Sequence, residues 1–352
     1  MDKTKLEQLI EIMTREGASD LHLSSGRRPT IRVAGELISL TKQPALSKED
    51  TLAFLGVLSG SERKKEFLET HELDFSYSAP QGMRFRGNAF VQQGSVGIAL
   101  RFIPGKVATL EELNLPPILE TFAMRKQGFF LVVGPVGHGK STTLAAMIDI
   151  INKQRAEHIV TIEDPIEFVY ESGNSIIEQR EVGSDAKDFH TALQSVFRQD
   201  VDVIMVGEMR GPETIATAVT AAETGHLVLS TLHTNNAAQT IDRIIDAFPS
   251  DGQNQIRAQL SQSLAGIFSQ RLIPRISGGV IPAYELLINT TAVANLIREG
   301  RTHEVNVVIE TGLQEGMVSM DRTLSELVRR GEITPEQAQA YSFNTKTQNK
   351  FR

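Results

Sequence analysis

The chain has 352 residues, 40% hydrophobic and 22% charged, and its 36 basic and 43 acidic side chains give a formal charge of −7. These values exclude a largely disordered chain and leave room for two domains at roughly 100–200 residues each. The absence of cysteine excludes a disulfide scaffold, a Cys-ligated zinc site and an iron–sulfur cluster, and it fits a reducing compartment.

The opening places Leu6, Leu9, Ile10 and Met13 at helical spacing, an amphipathic helix that ends near Gly17. Its charges break any signal-peptide pattern, and no apolar run approaches the ~20 residues that cross a bilayer. The chain is therefore expected to be cytoplasmic, with any membrane contact peripheral. Strands are predicted at Asp20–Leu23 and Thr30–Val33, helices at Lys48–Leu58 and Glu62–Thr70, then strands at Glu72–Tyr77, Arg84–Gln92 and Val96–Phe102. These form a small α+β domain over 1–105. Pro104-Gly105-Lys106 reads as a hinge, and 106–117 as a linker ending at Pro116-Pro117.

From residue 128 the pattern changes. Apolar runs at Phe129–Val133, His158–Ile162, Val203–Val206 and Leu227–Ser230 alternate with helical stretches. That alternation predicts a parallel sheet covered on both faces, within a second domain over 118–352. After Asn254 the pattern reads as mostly helical, with Ile256, Leu260, Leu264 and Ile267 on one face, and Asn344–Arg352 reads as a polar tail. Residues 1–105 hold 14 basic and 13 acidic side chains, so 106–352 hold 22 and 30. Neither part is a basic nucleic-acid binder, which weighs against a DNA or RNA translocase.

Gly134, Pro135, Val136, Gly137, His138, Gly139, Lys140 and Ser141, followed by Thr142, fit the phosphate-binding pattern G-x-x-x-x-G-K-[ST]. A strand before it and a helix over Ser141–Asn152 supply the context the motif needs. Glycines let backbone N–H groups wrap phosphates at a helix N-terminus. Lys140 is then expected on the β/γ-phosphates of ATP, and the Ser141 hydroxyl on Mg²⁺. Glu208 ends the strand Val203–Val206 and is a candidate to support Mg²⁺. Glu163, in Thr161-Ile162-Glu163-Asp164-Pro165, ends another strand and is a candidate to activate water. His226 and His233 bracket a strand. A lone histidine is more often structural, and this spacing matches no compact zinc ligand set. Arg86 and Arg101 lie on adjacent strand patterns. They are either solvated or supplied to a neighbouring subunit's phosphates.

The strings GPVGHGKSTT, VTIEDPIEFV, VIMVGEMRGPET and TGHLVLSTLHTNNAAQTIDRIIDAFP, in this order, resemble the secretion-type AAA+-like ATPases. Within them the chain is similar to the type IV pilus retraction ATPases, the PilT group, from GASDLHLS to GMVSMDRTLSELVRRGEIT. The resemblance implies an α/β fold: a RecA-like P-loop NTPase domain preceded by a PAS-like domain. It also implies a homohexamer at the inner face of the cytoplasmic membrane, with an inner-membrane pilus platform protein, and the extension ATPase or other pilus-base components, as partners. By position, Glu163 matches the family's water-activating glutamate and Glu208 its Walker B glutamate. His226 and His233 match its His box, and Arg86 and Arg101 its phosphate-reaching arginines. The extension ATPases resemble longer chains with a four-cysteine zinc site, so retraction is favoured here. Three positions depart from the family: Val136 and His138 in the loop, and Ala294 where Ala292–Glu299 should carry an arginine. The His138 ring is expected either to sit beside phosphate charge, favouring its protonated form and tighter ATP binding at low pH, or to face solvent. Ala294 leaves an accessory or sensory ATP-binding relative as the alternative to a retraction motor.

Overall fold

The computed structural model describes residues 2–343 except 34, 81, 104, 106 and 210. Pro104 and Lys106 of the expected hinge, and the tail Asn344–Arg352, lie outside the described residues. The chain forms two compact units, one of residues 1–106 with Pro165–Val169 and one of Val107–Asp164 with residues 170–352.

The first unit is a six-stranded antiparallel sheet in the order β3-β2-β1-β6-β5-β4. Its strands are β1 (Asp20–Ser24), β2 (Thr30–Val33), β3 (Glu36–Ser39), β4 (Glu72–Ser78), β5 (Arg84–Gln92) and β6 (Ser95–Ile103). Helices α1 (Asp2–Arg15) and α2 (Lys48–Thr70) are the helical elements of this unit. The α1 residues Leu6, Leu9, Ile10 and Met13 join Phe54, Leu55 and Phe67 of α2 and Leu21, Phe85, Ile98 and Leu100 of the strands in one core. Each such side chain contributes about 1.5–3 kcal/mol on burial. Helix α2 starts with a capping box between Ser47 and Asp50, and it kinks at Gly60, whose φ of 79° is non-helical. That kink divides the two helical segments expected from the sequence. Because strand side chains alternate, one face of β5 is apolar and the other carries Arg84, Arg86 and Asn88. Strand β3 is exposed along its whole length, which is why no apolar pattern announces it.

The second unit holds a seven-stranded sheet in the order β13-β12-β7-β11-β10-β8-β9. The strands are β7 (Gly128–Val133), β8 (His158–Glu163), β9 (Ile176–Glu181), β10 (Val203–Val206), β11 (Leu227–Leu232), β12 (Leu264–Pro274) and β13 (Val280–Ile288). All neighbours pair parallel except β12 and β13. Alternate residues of β7 point to two cores. Phe129, Leu131 and Val133 enter one, and Phe130 and Val132 the other. The second core takes in α3 (Ile118–Ala123) and α4 (Lys140–Gln154), while α5 (Phe189–Val196), α6 (Pro212–Glu223), α7 (Ala237–Asp246), α8 (Gln253–Ser263) and α9 (Thr291–Glu299) pack into the first. Further on come α10 (Val305–Thr311), α11 (Met320–Arg329) and α12 (Pro335–Tyr341). This is the expected α/β sheet covered on both faces.

The region after Asn254 differs from the expectation. Helix α8 stops at Ser263, and Leu264 and Ile267 belong to β12, beside β7. Their spacing imitates a helical stripe, but β12 is buried without interruption from Leu264 to Gln270. A strand buried on both faces carries no alternation, so short apolar runs do not distinguish it from a helix. Among the described residues, no helix is long and apolar enough to cross a membrane.

Candidate nucleotide site

The site forms where parallel strands β7, β8, β10 and β11 end together. Register places Val133 beside Leu232, Ser230 beside Val206, and Val206 beside Ile162. The residues that follow these strands therefore converge on one edge, as ligand-binding residues do in open α/β sheets.

The loop after β7 is held by its glycines and by β12. Gly134 has φ 149°, and a Cβ there would lie 2.3 Å from the Gln270 carbonyl oxygen. Gly139 has φ 77°, and its Cβ would meet the Gln270 amide nitrogen at 2.9 Å. At Gly134 the β12 backbone leaves no room for a side chain, and at Gly139 the left-handed φ disfavours one. The Gln270 amide donates to the His138 carbonyl (2.8 Å) and accepts from the Thr143 hydroxyl (2.7 Å), tying β12 to the loop and to α4. Val136 at the loop tip is 79% exposed, so a β-branched apolar side chain is tolerated there without repacking.

Lys140 is buried, and its ammonium donates to the carbonyls of Gly134 and Pro135, each at 2.9 Å. It also lies 3.2 Å from His233 Nδ1. An ammonium only donates, so Nδ1 is the acceptor and the ring proton sits on Nε2. That nitrogen faces Glu208 Oε1 at 3.6 Å. Lys140, His233 and Glu208 thus form a continuous line across β7, β11 and β10. Ser141 is exposed on the first turn of α4, with Thr142 beside it. Glu163 is buried at the end of β8, where Oε1 accepts from the Thr161 hydroxyl at 2.6 Å and from the Gln179 amide at 3.2 Å. Desolvation pushes the Tyr170 phenol well above its ordinary range, and the charges of Glu163 and Asp149 push it the same way.

His226 is elsewhere in the chain. It precedes β11, its Nδ1 lies 3.0 Å from the Ala221 carbonyl, and its ring meets Phe197 edge-on. Six strand residues at ~3.3 Å each put about 20 Å between the ends of β11, so one chain brings only His233 to Lys140. The seven-residue separation of the two histidines already contained this information.

The His138 ring does not face solvent freely: it is half-buried against β12. Its Nδ1 accepts from the Leu272 N–H at 2.8 Å. Desolvation first, then the charges of Arg271 and Lys140, hold its pKa below the ordinary histidine value. The backbone donor on Nδ1 favours the neutral ring in the same direction.

Arg86 and Arg101 belong to the first unit and face each other across β5 and β6. Arg101 Nε bonds Asp20 Oδ1 at 2.9 Å, yet its side chain stays 71% exposed. Burial raises the Asp20 carboxyl, but the hydrogen bonds from Ser19 and Arg101 outweigh it and leave the pKa lowered. Arg86 is exposed. Gln270 and Leu272 escape the sequence reading because β12 reads as helix, and Thr143 of α4 escapes it because its partner Gln270 lies on that strand. The signal for a hairpin was present: two apolar runs on either side of Ser277-Gly278-Gly279.

Residues 75–344 match the Type II/IV secretion system protein family. The chain is 46% identical to the Type IV pilus retractation ATPase PilT of Pseudomonas aeruginosa, covering 95% of this chain and 96% of the relative. It is 43% identical to the Type IV pilus ATPase PilU of the same organism, over 96% and 88% of the two chains. A crystal structure of the pilus retraction motor PilT with bound ADP superposes with a TM-score of 0.90 at 46% identity, covering 96% of this chain and 97% of that one. With a loop-held lysine, two strand-end carboxylates and this full-length likeness, the chain belongs to the Type II/IV secretion system protein family of ATPases.

Proposed function

We propose that this protein is a motor ATPase that hydrolyses ATP to power type IV pilus retraction, working as a homohexamer at the inner face of the cytoplasmic membrane against an inner-membrane platform protein. The observation that carries the reading is the line Lys140–His233–Glu208 at the sheet edge that also holds Glu163. The 46% identity to the Type IV pilus retractation ATPase PilT over 95% of this chain supports it.

In this reading Lys140 binds the β/γ-phosphates, and the backbone N–H groups of the loop hold the rest of the triphosphate. The Ser141 hydroxyl and the Glu208 carboxylate are hard oxygen donors on neighbouring elements, a set that suits Mg²⁺ shared with substrate phosphates. When bound there, Mg²⁺ would supply neutralisation of phosphate charge. Glu163, held by Thr161 and Gln179, takes a proton from the attacking water. His233 links Lys140 to Glu208, so a change at the phosphates reaches the end of β10. Arg86 and Arg101, on the PAS-like unit, serve the nucleotide of a neighbouring subunit.

The test pairs Mg²⁺-dependent ATP turnover with the phenotype of a gene deletion. The expected outcome is measurable ATPase activity and cells that are hyperpiliated and do not twitch. A second reading, an accessory ATPase at the pilus base, draws on Ala294 in α9 and on the 43% identity to PilU. It is favoured if the deletion strain still retracts its pili.

A further inference from the structure

We infer that Thr161 on β8 and Gln179 on β9 are positioning residues for ATP hydrolysis, two donors that fix the direction in which Glu163 presents its carboxylate to water. This rests on the reading of Glu163 as the base, and it gives a role in turnover to two polar residues outside the phosphate loop.

Strands β8 and β9 run parallel, and Thr161 stands opposite Gln179 in their register. Side chains alternate along a strand, so Thr161 and Glu163 share one face, and Gln179 enters that face from the neighbouring strand. Both donors reach the same oxygen. The Thr161 hydroxyl donates to Glu163 Oε1 at 2.6 Å, and the Gln179 amide nitrogen donates to it at 3.2 Å. An ionised carboxylate only accepts, so the Gln179 amide turns its NH₂ toward it. One donor comes from the base's own strand and one from the next, which leaves the carboxylate little freedom to swing. A shift of β9 by one residue would carry Gln179 to the opposite face and remove the second donor.

Packing alone does not call for these residues. Thr161 is fully buried between Val160 and Ile162, in a strand that is otherwise apolar from Ile159 to Ile162. A buried hydroxyl is costly unless it is bonded, and valine has nearly the same shape without that cost. Gln179 is half-buried on the edge strand β9, where methionine would fill similar space. What the two side chains share is their acceptor. Hydrogen bonds to a charged acceptor are stronger than neutral ones, and a base held at the right distance and angle works where a freely rotating one does not.

The experiment measures steady-state ATP turnover and, separately, Mg-ATP affinity on the full chain for Thr161→Val, Thr161→Ser, Gln179→Met and Glu163→Gln, alone and combined. Thr161→Val and Gln179→Met should each lower kcat about tenfold, while KM and affinity for ATP stay within about twofold. Thr161→Ser keeps the hydroxyl and should return turnover to within about threefold of the wild type. Added to Glu163→Gln, Thr161→Val should change the residual rate by less than about twofold, because no base remains to be positioned. The assignment is overturned if both single variants turn over ATP like the wild type, or if Thr161→Ser is as impaired as Thr161→Val. It is also overturned if the losses persist unchanged on top of Glu163→Gln, which would place them in the fold. Should Thr161→Val fail to fold, Gln179→Met at its half-buried site carries the same comparison. Wild-type turnover in Glu163→Gln itself overturns the base reading instead.

Discussion

Lys140 and Glu163 are both buried, but the structure holds them by different means, and their replacements should separate binding from chemistry. Lys140 is a cation held by two carbonyls and a histidine. Lys140→Ala should therefore lower nucleotide affinity and turnover together. Glu163→Gln keeps shape and the bond from Thr161 while removing the base. It should keep ATP affinity and lose roughly 10²-fold or more in turnover. Binding constants and rates for both variants check this, and near-normal turnover in Glu163→Gln removes Glu163 from the base role. His138 makes a separate prediction about stability. Its folded pKa is lowered, so its contribution is present above the ordinary histidine value and disappears as pH falls through the folded value. Protonating Nδ1 also turns the Leu272 N–H contact into two opposed donors. Unfolding temperature followed from pH 7.5 to pH 5 should fall more steeply in the wild type than in His138→Ser. Parallel curves would mean that the bond to Leu272 carries no weight.

At the scale of elements, Glu285 on β13 joins the hairpin to α7, the helix that follows the His233 loop. Its carboxylate accepts from the Ala237 N–H at 2.9 Å, at the start of α7. Desolvation raises its pKa to about 7 against the lowering effect of that bond, with the charge of Asp321 adding to the rise. A raised acid pKa contributes stability that is complete below the unfolded value and is lost as pH rises through the folded one. Glu285→Gln keeps an acceptor for Ala237 without a titrating charge. At pH 5 it should match the wild type, and at pH 8 it should be more stable by up to about 3 kcal/mol, or several degrees in unfolding temperature. A variant less stable than the wild type at pH 8 would show that the charge on Glu285 is favourable there. The same hairpin marks where sequence reading stopped. Strand β7 and helix α4 were legible because a turn of glycines separates a buried apolar run from a helical one. The second strand of the nucleotide cradle, β12, was not, since Leu260, Leu264 and Ile267 match helical spacing as well. Strand β9, which alternates exposed and half-buried positions, offers no apolar run to read. Glu163 and Glu208 were found because each follows an apolar strand, whereas Gln270 reaches the loop from β12 through its backbone carbonyl and its side-chain amide, a long-range approach that no local pattern records.

At the scale of the whole molecule, the two arginines belong to one unit and the phosphate loop to the other. Arg86 and Arg101 stand opposite each other on exposed positions, and Asp20 fixes the base of the Arg101 guanidinium without covering it. Such a side chain is positioned and still available to an anion. If it serves a neighbouring subunit in a ring of identical head-to-tail contacts, each active site draws residues from two chains. Arg101→Ala alone should then be strongly impaired, because an arginine of this kind is worth about 10³–10⁵ in rate where it acts. Glu163→Gln alone should be impaired for a different reason, in the other half of the site. Co-expressing the two variants with different tags and purifying rings that carry both tags creates interfaces in which an intact Arg101 faces an intact Glu163. With random order and equal amounts, about a quarter of the interfaces are of this kind. Turnover of the mixed rings should therefore rise far above that of either parent, toward about a quarter of the wild-type rate if sites fire independently. If firing is obligatorily concerted the rescue is smaller, and a titration of the mixing ratio distinguishes the two cases by its curvature. Rings shown by both tags to be mixed, yet no more active than their parents at any ratio, would place Arg101 in service of its own chain or of none.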